Sequence, residues 1–339
     1  MAHAVYVQTN DDAENEIVAF RRAEDGTLAP LGRYSTGGRG TGQPHLPSQG
    51  SVVLDEDGRL LLVVNAGSDE LSLFAVEPDG LHLADRVSSG GSNPTSIAVG
   101  GALVYVLNNG TPSICGFKLL DGRLSALADS ARPLSGNDAD PAQISFTPDG
   151  KALIATERGT NSISSYVIDD RGFADGPTTI KSSGQTPYGF GFTNGSLIVT
   201  EAFGGEIGKA AASSYAISGA GELTLVSGSV RDTHSEVCWA VVTNDGRFAF
   251  VTNFGDGTVS SYEIASDGGL TLRDPVAGST RQGEKGVRDE ALSGDGRYLY
   301  AIDADAQKLF GWAVGQDGQL TPAGEHDGVP DTVAGLAAS

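Results

Sequence analysis

The sequence repeats one short pattern, in which a strand ending in a polar residue is followed by a turn and a strand ending near an aromatic residue. Its clearest copies are VVNAGSDELSLF, VLNNGTPSICGF, ATERGTNSISSY, VTNFGDGTVSSY and AIDADAQKLFGW. In each of these copies the polar and aromatic residues stand nine positions apart, as Asn65 and Phe74 do. Two further copies, ending at Phe20 and Tyr215, carry insertions. The aromatics recur every 45 to 50 residues or so, roughly the length of a four-stranded propeller blade.

The turns between these strands favour the same architecture. Asp-Gly and Asn-Gly pairs supply the positive backbone angles that tight hairpin turns need, and no long segment has helical periodicity. We therefore predict an all-β fold, a seven-bladed β-propeller that forms a single domain over residues 1–339. The predicted blades are residues 3–46 with 329–339, 47–92, 93–138, 139–185, 186–233, 234–283 and 284–328. The tail VPDTVAGLAAS is expected to supply the inner strand that the first blade lacks.

The charge balance limits the partners. The chain has 22 basic and 43 acidic residues, a net charge of -21, which disfavours nucleic acid and anionic membrane surfaces. Only Cys115 and Cys238 are present, without a CxxC pair, so no disulfide framework or structural zinc site is expected. We expect no cofactor, a small-molecule substrate, and a monomer or weak homodimer. We assign no metal ligands; a calcium ion in the acidic channel stays an open alternative, although no Asp-x-Asp-x-Asp loop supports it. We expect a cytoplasmic protein, or a secreted one if a leader was removed.

Two carboxylates stand out in the repeat. In a propeller the start of each first strand and the end of each second strand lie on the same face, and most blades place Asn at the second-strand end. Blades four and five have Glu157 and Glu201 there, although Glu is a poorer turn former than Asn. Both are candidate general acids or bases at the channel mouth. The alternative for Glu157 is a pairing with Arg158, or with another neighbouring base, that fastens the blades.

Further candidates reach the same face. His234, in RDTHSEVCW, is a third catalytic candidate, and His45 lies in a Gly-rich connection; the ordinary pKa of histidine suits proton transfer. Arg288 begins an inner strand and could bind a carboxylate in a bidentate manner, or pair with Asp289 or Glu290. Predicted substrate-binding residues, which contribute hydrogen bonds or an aromatic lining, are Gln143, Tyr188, Trp239, Phe254, Arg288 and His45.

Motifs distributed over almost the whole chain resemble those of the seven-bladed propeller lactonase family, which includes propeller-type 6-phosphogluconolactonases and fungal carboxy-muconate lactonizing enzymes. They are FTPDGKALIAT, VTNDGRFAFVT, LSGDGRYLYAI, NSISSY, GTVSSY and the DGxL turns. The resemblance implies that Glu201 matches a catalytic glutamate of the lactonizing enzymes. The positions of their histidine and two arginines are occupied here by Ala142 or Gln143, Tyr188 and Phe254. These replacements imply a less charged, more aromatic ligand.

Two hypotheses about function follow. The first is a cofactor-independent enzyme that opens or forms a lactone, or performs a related proton-transfer isomerisation, on a small cyclic organic substrate. Glu201 would be its general acid or base, with Glu157 or His234 assisting. The second is a non-catalytic propeller that binds a small ligand or a protein partner, since propellers host many functions.

Overall fold

Seven antiparallel sheets make up the computed structural model, which describes residues 3–44, 46–193 and 195–339. The strands of the first three sheets, apart from one contributed by the end of the chain, are β1 (Ala4–Gln8), β2 (Glu16–Arg22), β3 (Leu28–Ser35), β4 (Val52–Leu54), β5 (Leu60–Asn65), β6 (Glu70–Glu77), β7 (Gly80–Ser88), β8 (Pro94–Gly100), β9 (Leu103–Asn108), β10 (Ser113–Leu120), β11 (Arg123–Ala126) and β12 (Arg132–Pro133). The remaining strands are β13 (Pro141–Phe146), β14 (Ala152–Glu157), β15 (Ser162–Ile168), β16 (Ala174–Lys181), β17 (Pro187–Phe192), β18 (Ser196–Glu201), β19 (Ala211–Ile217), β20 (Leu223–Arg231), β21 (Val237–Val242), β22 (Phe248–Asn253), β23 (Thr258–Ile264), β24 (Leu270–Ser279), β25 (Val287–Leu292), β26 (Tyr298–Asp303), β27 (Lys308–Val314), β28 (Leu320–Asp327) and β29 (Ala334–Ala338).

The sheets are the seven blades of a propeller, and the prediction of an all-β, seven-bladed fold is confirmed. Each blade from the second to the seventh is built from consecutive strands, with the short β12 added to the third. The first blade has the order β29-β1-β2-β3, and β29 pairs antiparallel with β1. The tail therefore supplies the missing inner strand, as predicted, and this pairing closes the ring by joining the two ends of the chain in one blade.

Backbone conformation explains the repeated Asp-Gly turns. Gly150 and Gly296, which join inner to second strands, both have φ of +69°. A Cβ atom at Gly150 would meet no other atom within 4 Å, so the left-handed backbone and not crowding requires glycine there. The corresponding Asn194 of blade five lies outside the described residues.

The repeated aromatics seal each blade against the one before it. All seven are nearly inaccessible to solvent, and they are Phe20, Phe74, Phe117, Tyr166, Tyr215, Tyr262 and Trp312. Tyr262 packs with Ile198 of the preceding blade, and its hydroxyl donates to the carbonyl oxygen of Val230 at 3.0 Å. Tyr166 likewise donates to Pro133 at 2.8 Å. The repeat thus places one large aromatic side chain at every blade interface.

A segment of the first interblade connection crosses the channel. The side-chain amide of Gln49 donates to the carbonyl oxygen of Ala240 at 2.8 Å and accepts from its N–H at 3.0 Å, in the sixth blade. Trp239 donates its indole N–H to the carbonyl oxygen of Ser48 at 2.9 Å. A Cβ atom on Gly189 would lie 2.3 Å from Oε1 of Gln49, so only glycine leaves room for this amide. Residues 48 and 49 therefore form a plug that divides the channel.

The one helical element in the described part of the chain is a single 3-10 turn, Phe203–Gly205. Within the same residues no helix has the length and apolar character needed to cross a membrane.

Candidate active site at the channel mouth

Three inner strands direct side chains into one cavity on the outer side of the plug. The register of β17, β21 and β25 against their neighbours shifts near the start of each strand, which marks a bulge. Bulges re-aim side chains, and those of Tyr188, Cys238 and Arg288 line a pocket of about 280 Å³. Its other lining residues are Arg158, Ala202, Gly204, Gly205, Glu236 and Phe254. Together these residues come from blades four to seven.

Arg158 forms one basic wall of this pocket. It follows β14, and its guanidinium lies over the ring of Tyr188, 4.9 Å from the ring centroid. Nη2 donates to Oδ1 of Asp140 at 2.5 Å, while the side chain is only 13% exposed. The half-exposed Asp140 and the aromatic face fix the guanidinium in place. The predicted alternative in which Arg158 pairs with Glu157 is wrong, because Asp140 is its partner.

Arg288 forms the second basic wall, at the start of β25. Its guanidinium lies 5.0 Å from the ring centroid of Phe254, and its Nη2 is 3.6 Å from Oδ1 of the half-exposed Asp305. It also donates from Nη1 to the carbonyl oxygen of Pro44. Its Nε is buried without a hydrogen-bond partner among the described residues, and burial lowers the pKa of the guanidinium. The predicted pairing alternatives with Asp289 or Glu290 are therefore replaced by contacts with Asp305 and Pro44.

Glu236 brings a carboxylate to the same pocket. Its two oxygens lie 3.0 and 2.9 Å from Nζ of Lys285, and its side chain is partly exposed. Its backbone has a φ of +55°, in the left-handed region. The residues preceding three other inner strands share this conformation: Asn93, Asp140 and Thr186; Gly286, before a fourth, also has a positive φ but a much larger one, +146°. Asn, Asp and Gly tolerate this region well, whereas Glu is uncommon there, so Glu236 occupies a position that backbone preference alone would not give it.

The thiol and phenol in the pocket are held neutral. Burial raises the pKa of Cys238 to about 12, and its Sγ donates to the carbonyl oxygen of Glu236 at 3.2 Å. Burial likewise raises the pKa of Tyr188. A neutral thiol is a poor nucleophile, so Cys238 contributes packing, and Tyr188 retains a hydroxyl able to donate.

Glu201 is placed away from this pocket. Its side chain is fully buried at the end of β18. Oε1 accepts from the N–H of Gly184 at 2.6 Å and from the hydroxyls of Ser213 and Ser182 at 2.8 and 3.1 Å, while Oε2 accepts from Ser229 at 2.6 Å. The four donors are neutral and belong to strands and connections of blades four and five. In this geometry the carboxylate fastens two blades, and its role as acid or base stays a prediction.

Glu157 repeats this arrangement one blade earlier. It is fully buried and accepts from the hydroxyls of Ser164 at 2.6 Å and Thr160 at 2.8 Å. The N–H and hydroxyl of Ser135 donate to it as well. Glu157 and Glu201 thus play the part that Asn65 and Asn253 play in other blades, where the amides bond to nearby hydroxyls.

His234 lies between the fifth and sixth blades and does not line the pocket. Its ring Nδ1 is 2.6 Å from Oδ2 of Asp256, and its backbone N–H donates to Oδ1 of Asp232 at 2.9 Å. Nε2 is buried and has no hydrogen-bond partner within residues 3–44, 46–193 and 195–339. The histidine is therefore oriented by an acid, as a catalytic histidine would be, but its place in catalysis stays a prediction.

The predicted substrate-binding residues separate into groups. Tyr188, Phe254 and Arg288 line the pocket, and Trp239 packs beneath Tyr188 with ring centroids 5.5 Å apart. Gln143 instead bonds with the N–H and carbonyl oxygen of Phe190, at 2.6 and 3.1 Å, and lines the channel beyond the plug. His45 lies outside the described residues.

Sequence reasoning missed Arg158 and Glu236 as pocket residues. Arg158 was not predicted because the repeat drew attention to its neighbour Glu157, which occupies the repeated polar position. Arg158 is the next residue, and it turns toward the channel mouth. Glu236 had a usable signal, since a glutamate directly before an inner strand stands where other blades have Asn93, Asp140 or Gly286. As for metals, no group of three or more His, Cys, Asp and Glu side chains in the described residues has a metal-binding arrangement.

Comparison with known proteins identifies the family. The model of the family described as "Lactonase, 7-bladed beta-propeller" matches residues 3–132, 100–203 and 199–333. The chain belongs to this family. No curated protein matches the lactonase-family chain by sequence.

Solved structures share its fold. A candidate 6-phosphogluconolactonase from Bacteroides fragilis is 21% identical, with a TM-score of 0.75 over 100% of this chain and 98% of that one. The periplasmic gluconolactonase PpgL from Pseudomonas aeruginosa is 19% identical, with a TM-score of 0.75 over 100% and 99%. A protein from Lactobacillus plantarum is 18% identical, with a TM-score of 0.80 over 100% and 99%. At these identities the likeness concerns the fold.

Proposed function

We propose that this lactonase-family chain is a lactone hydrolase whose substrate binds in the channel-mouth pocket. One observation carries the proposal: two guanidiniums with little solvent exposure, from Arg158 and Arg288, reach the same pocket as the carboxylate of Glu236. The family supports hydrolysis, whereas the comparisons give no support to the cycloisomerase alternative. The compartment in which the enzyme works stays a prediction.

The proposed residues match the steps of ester hydrolysis. Water attacks the lactone carbonyl carbon, and negative charge develops on the carbonyl oxygen. The ring carbon–oxygen bond then breaks, and the leaving alkoxide takes back the proton that the general base removed from the water, to give a hydroxy acid. Glu236 would accept the proton of the attacking water, and an arginine would stabilise the charged oxygen. Lys285 would hold the Glu236 carboxylate in position.

The pocket also favours a particular size and charge of substrate. Tyr188 and Phe254 contribute apolar atoms to the pocket lining, and a guanidinium lies against one face of each ring. Arg158 and Arg288 do not match the positions of the lactonizing-enzyme arginines. They nevertheless give the pocket the positive charge that the family resemblance implied was lost. A small lactone with a carboxylate or phosphate group fits this pocket better than the uncharged ligand expected from sequence.

The test is hydrolysis of a panel of small lactones, with and without an anionic group, followed by proton release. We expect Glu236→Gln to lower kcat about 100-fold or more, as loss of a general base does. Arg158→Met should lower kcat/KM more for anionic lactones than for uncharged ones. Arg171→Met is the matched control, because Arg171 is an exposed blade-four arginine that also covers an aromatic ring, at 5.2 Å, and pairs with Asp169. If the wild-type protein binds these lactones but hydrolyses none, the non-catalytic alternative is correct.

A further inference from the structure

A second cavity lies on the other side of the plug. It has a volume of about 310 Å³ and is lined by residues of the inner strands β4, β8, β13, β21, β25 and β29, together with Gln49 and Gly50. It shares no lining residue with the channel-mouth pocket among the residues that the structure describes. Two of its lining residues are acidic, Asp289 and Glu290, and none is basic.

Glu290 departs from the propeller repeat. It pairs with Ala301, two residues before the polar end of its second strand. Five other blades have an apolar residue at this register: Val52, Ile97, Ile144, Phe190 and Ala240. A glutamate in an interior position that the repeat reserves for apolar side chains costs stability unless something compensates it.

The described residues supply no such compensation. Glu290 is only 2% exposed, and neither of its carboxylate oxygens has a hydrogen-bond partner in the described residues. The adjacent Asp289, also 2% exposed, accepts from the N–H groups of Glu290 at 2.9 Å and Leu336 at 3.1 Å. Burial raises the pKa of both carboxyls well above its usual range, and Asp289 raises that of Glu290 further. Two neighbouring buried acids thus face one cavity without a counter-charge from the part of the chain that the structure describes.

We propose that this inner cavity binds a hard metal cation, with Glu290 as its principal charged ligand and Asp289 as the second acid. The inner strand of each blade is an edge strand, which presents unpaired carbonyl groups along the channel. Hard cations such as Ca²⁺ take six to eight oxygen ligands, and carbonyls and water would complete the set that two carboxylates begin. The cation would neutralise both acids and join blade seven to its neighbours across the channel.

The inner site is independent of the proposed hydrolase, because Gln49, Ser48 and Trp239 stand between the two cavities. We therefore assign it a structural role. Loss of the ion would lower thermal stability, whereas loss of Glu236 or Arg158 would lower turnover. The ion site and the hydrolase can therefore be tested separately, the first by thermal stability and the second by turnover.

The experiment compares unfolding temperatures of protein stripped by a chelator and then given Ca²⁺, Mg²⁺ or Mn²⁺, with native mass spectrometry to count bound ions. We expect at least one of these ions to bind one per chain and to raise Tm by about 3 to 5 °C at 100 times its Kd. Glu290→Gln should abolish the shift. Glu290→Leu should abolish it too, and should raise the Tm of ion-free protein, because leucine resembles the apolar residues of the other blades.

Glu325→Gln provides the matched control, because it removes one exposed carboxylate from the outer strand β28 of the same blade. This variant should keep the full ion-dependent shift. A wild-type protein that neither binds nor responds to any of the three ions would overturn the proposal and leave protons as the only compensation. A shift that persists in Glu290→Gln would also overturn it, because the ion would then bind elsewhere.

Discussion

Arg288 and Glu290 stand two residues apart at the start of β25, yet they belong to opposite environments. Arg288 faces the channel-mouth pocket, where its guanidinium lies near the carboxylate of Asp305 and over the ring of Phe254. Glu290 faces the inner cavity, where nothing in the described chain offsets its charge. The bulge between Val287 and Glu290 and the Gln49 plug make this separation, so one strand serves two sites of opposite charge.

The comparison shows how a repeat fold gains function. Every blade must supply an inner strand, and most inner-strand positions are fixed by packing against neighbouring blades. The bulge adds one residue whose side chain is not part of that packing, and Tyr188, Cys238 and Arg288 occupy such positions. The residue directly before the strand is a second such position, occupied by Glu236. These residues could therefore vary without disturbing the blade interfaces. The charged residues of both cavities stand at such departures from the repeat.

The largest effect is expected from Arg288→Met. This change keeps the length of the side chain over Phe254 but removes its charge from the pocket, so kcat/KM for an anionic lactone should fall about 100- to 1000-fold. The Ca²⁺-dependent Tm shift should be unchanged, because Arg288 does not line the inner cavity. Asp305→Asn, at the half-exposed partner, should alter kcat/KM far less. Equal losses in the two variants would show that the ion pair and not the guanidinium matters.

Gln49→Ala should break the division between the two cavities. It removes both hydrogen bonds to Ala240 and leaves a buried N–H and carbonyl without partners, so the free energy of unfolding should fall by about 2 to 4 kcal/mol. Gln143→Ala is the matched control, because that amide bonds to Phe190 in the same way but between adjacent blades. Urea unfolding should show similar losses of unfolding free energy in the two variants. Only Gln49→Ala should also raise KM for the lactone. An unchanged unfolding curve for Gln49→Ala would mean that the plug does not hold the blades.

Glu201→Gln separates scaffold from chemistry. The amide nitrogen cannot accept a hydrogen bond from the surrounding N–H and hydroxyl donors, so the free energy of unfolding should fall by about 1 to 3 kcal/mol. Glu157→Gln should behave alike, because its environment is nearly the same. Turnover per folded molecule should stay at the wild-type level in both, measured with the lactone that the wild type hydrolyses. A 100-fold loss in folded Glu201→Gln would instead make Glu201 the acid or base and remove that role from Glu236.

The sequence predicted the fold well because the fold depends on periodic features. The aromatics at every blade interface, the Asp-Gly turns and the inner strand at the chain's end each follow from local chemistry that recurs along the chain. Glu157 and Glu201 were correctly placed at the ends of second strands. Their burial was not predictable, because it depends on serines and threonines that come from neighbouring strands and connections.

The site was harder to predict because its residues are those that escape the repeat. Arg158 pairs with Asp140, which stands 18 residues before it, and Arg288 contacts Pro44 on the far side of the sequence. The plug is also a long-range feature, since Gln49 and Ala240 are 191 residues apart. A register count along the inner strands could have identified Glu290, whose counterparts in other blades are apolar.

The smallest expected change in stability, and the most informative in direction, concerns Glu236→Asn. Asparagine tolerates the φ of +55° better than glutamate does, so the free energy of unfolding should rise by roughly 0.5 to 1 kcal/mol. Lactone hydrolysis should nevertheless fall as in Glu236→Gln, because the carboxylate is lost. Thr186→Asn, at the equivalent position of the preceding blade, controls for the backbone gain, and it should stabilise without loss of turnover. If Glu236→Asn destabilises the protein, the ion pair with Lys285 is the reason for glutamate at this position, and the case for a catalytic role weakens.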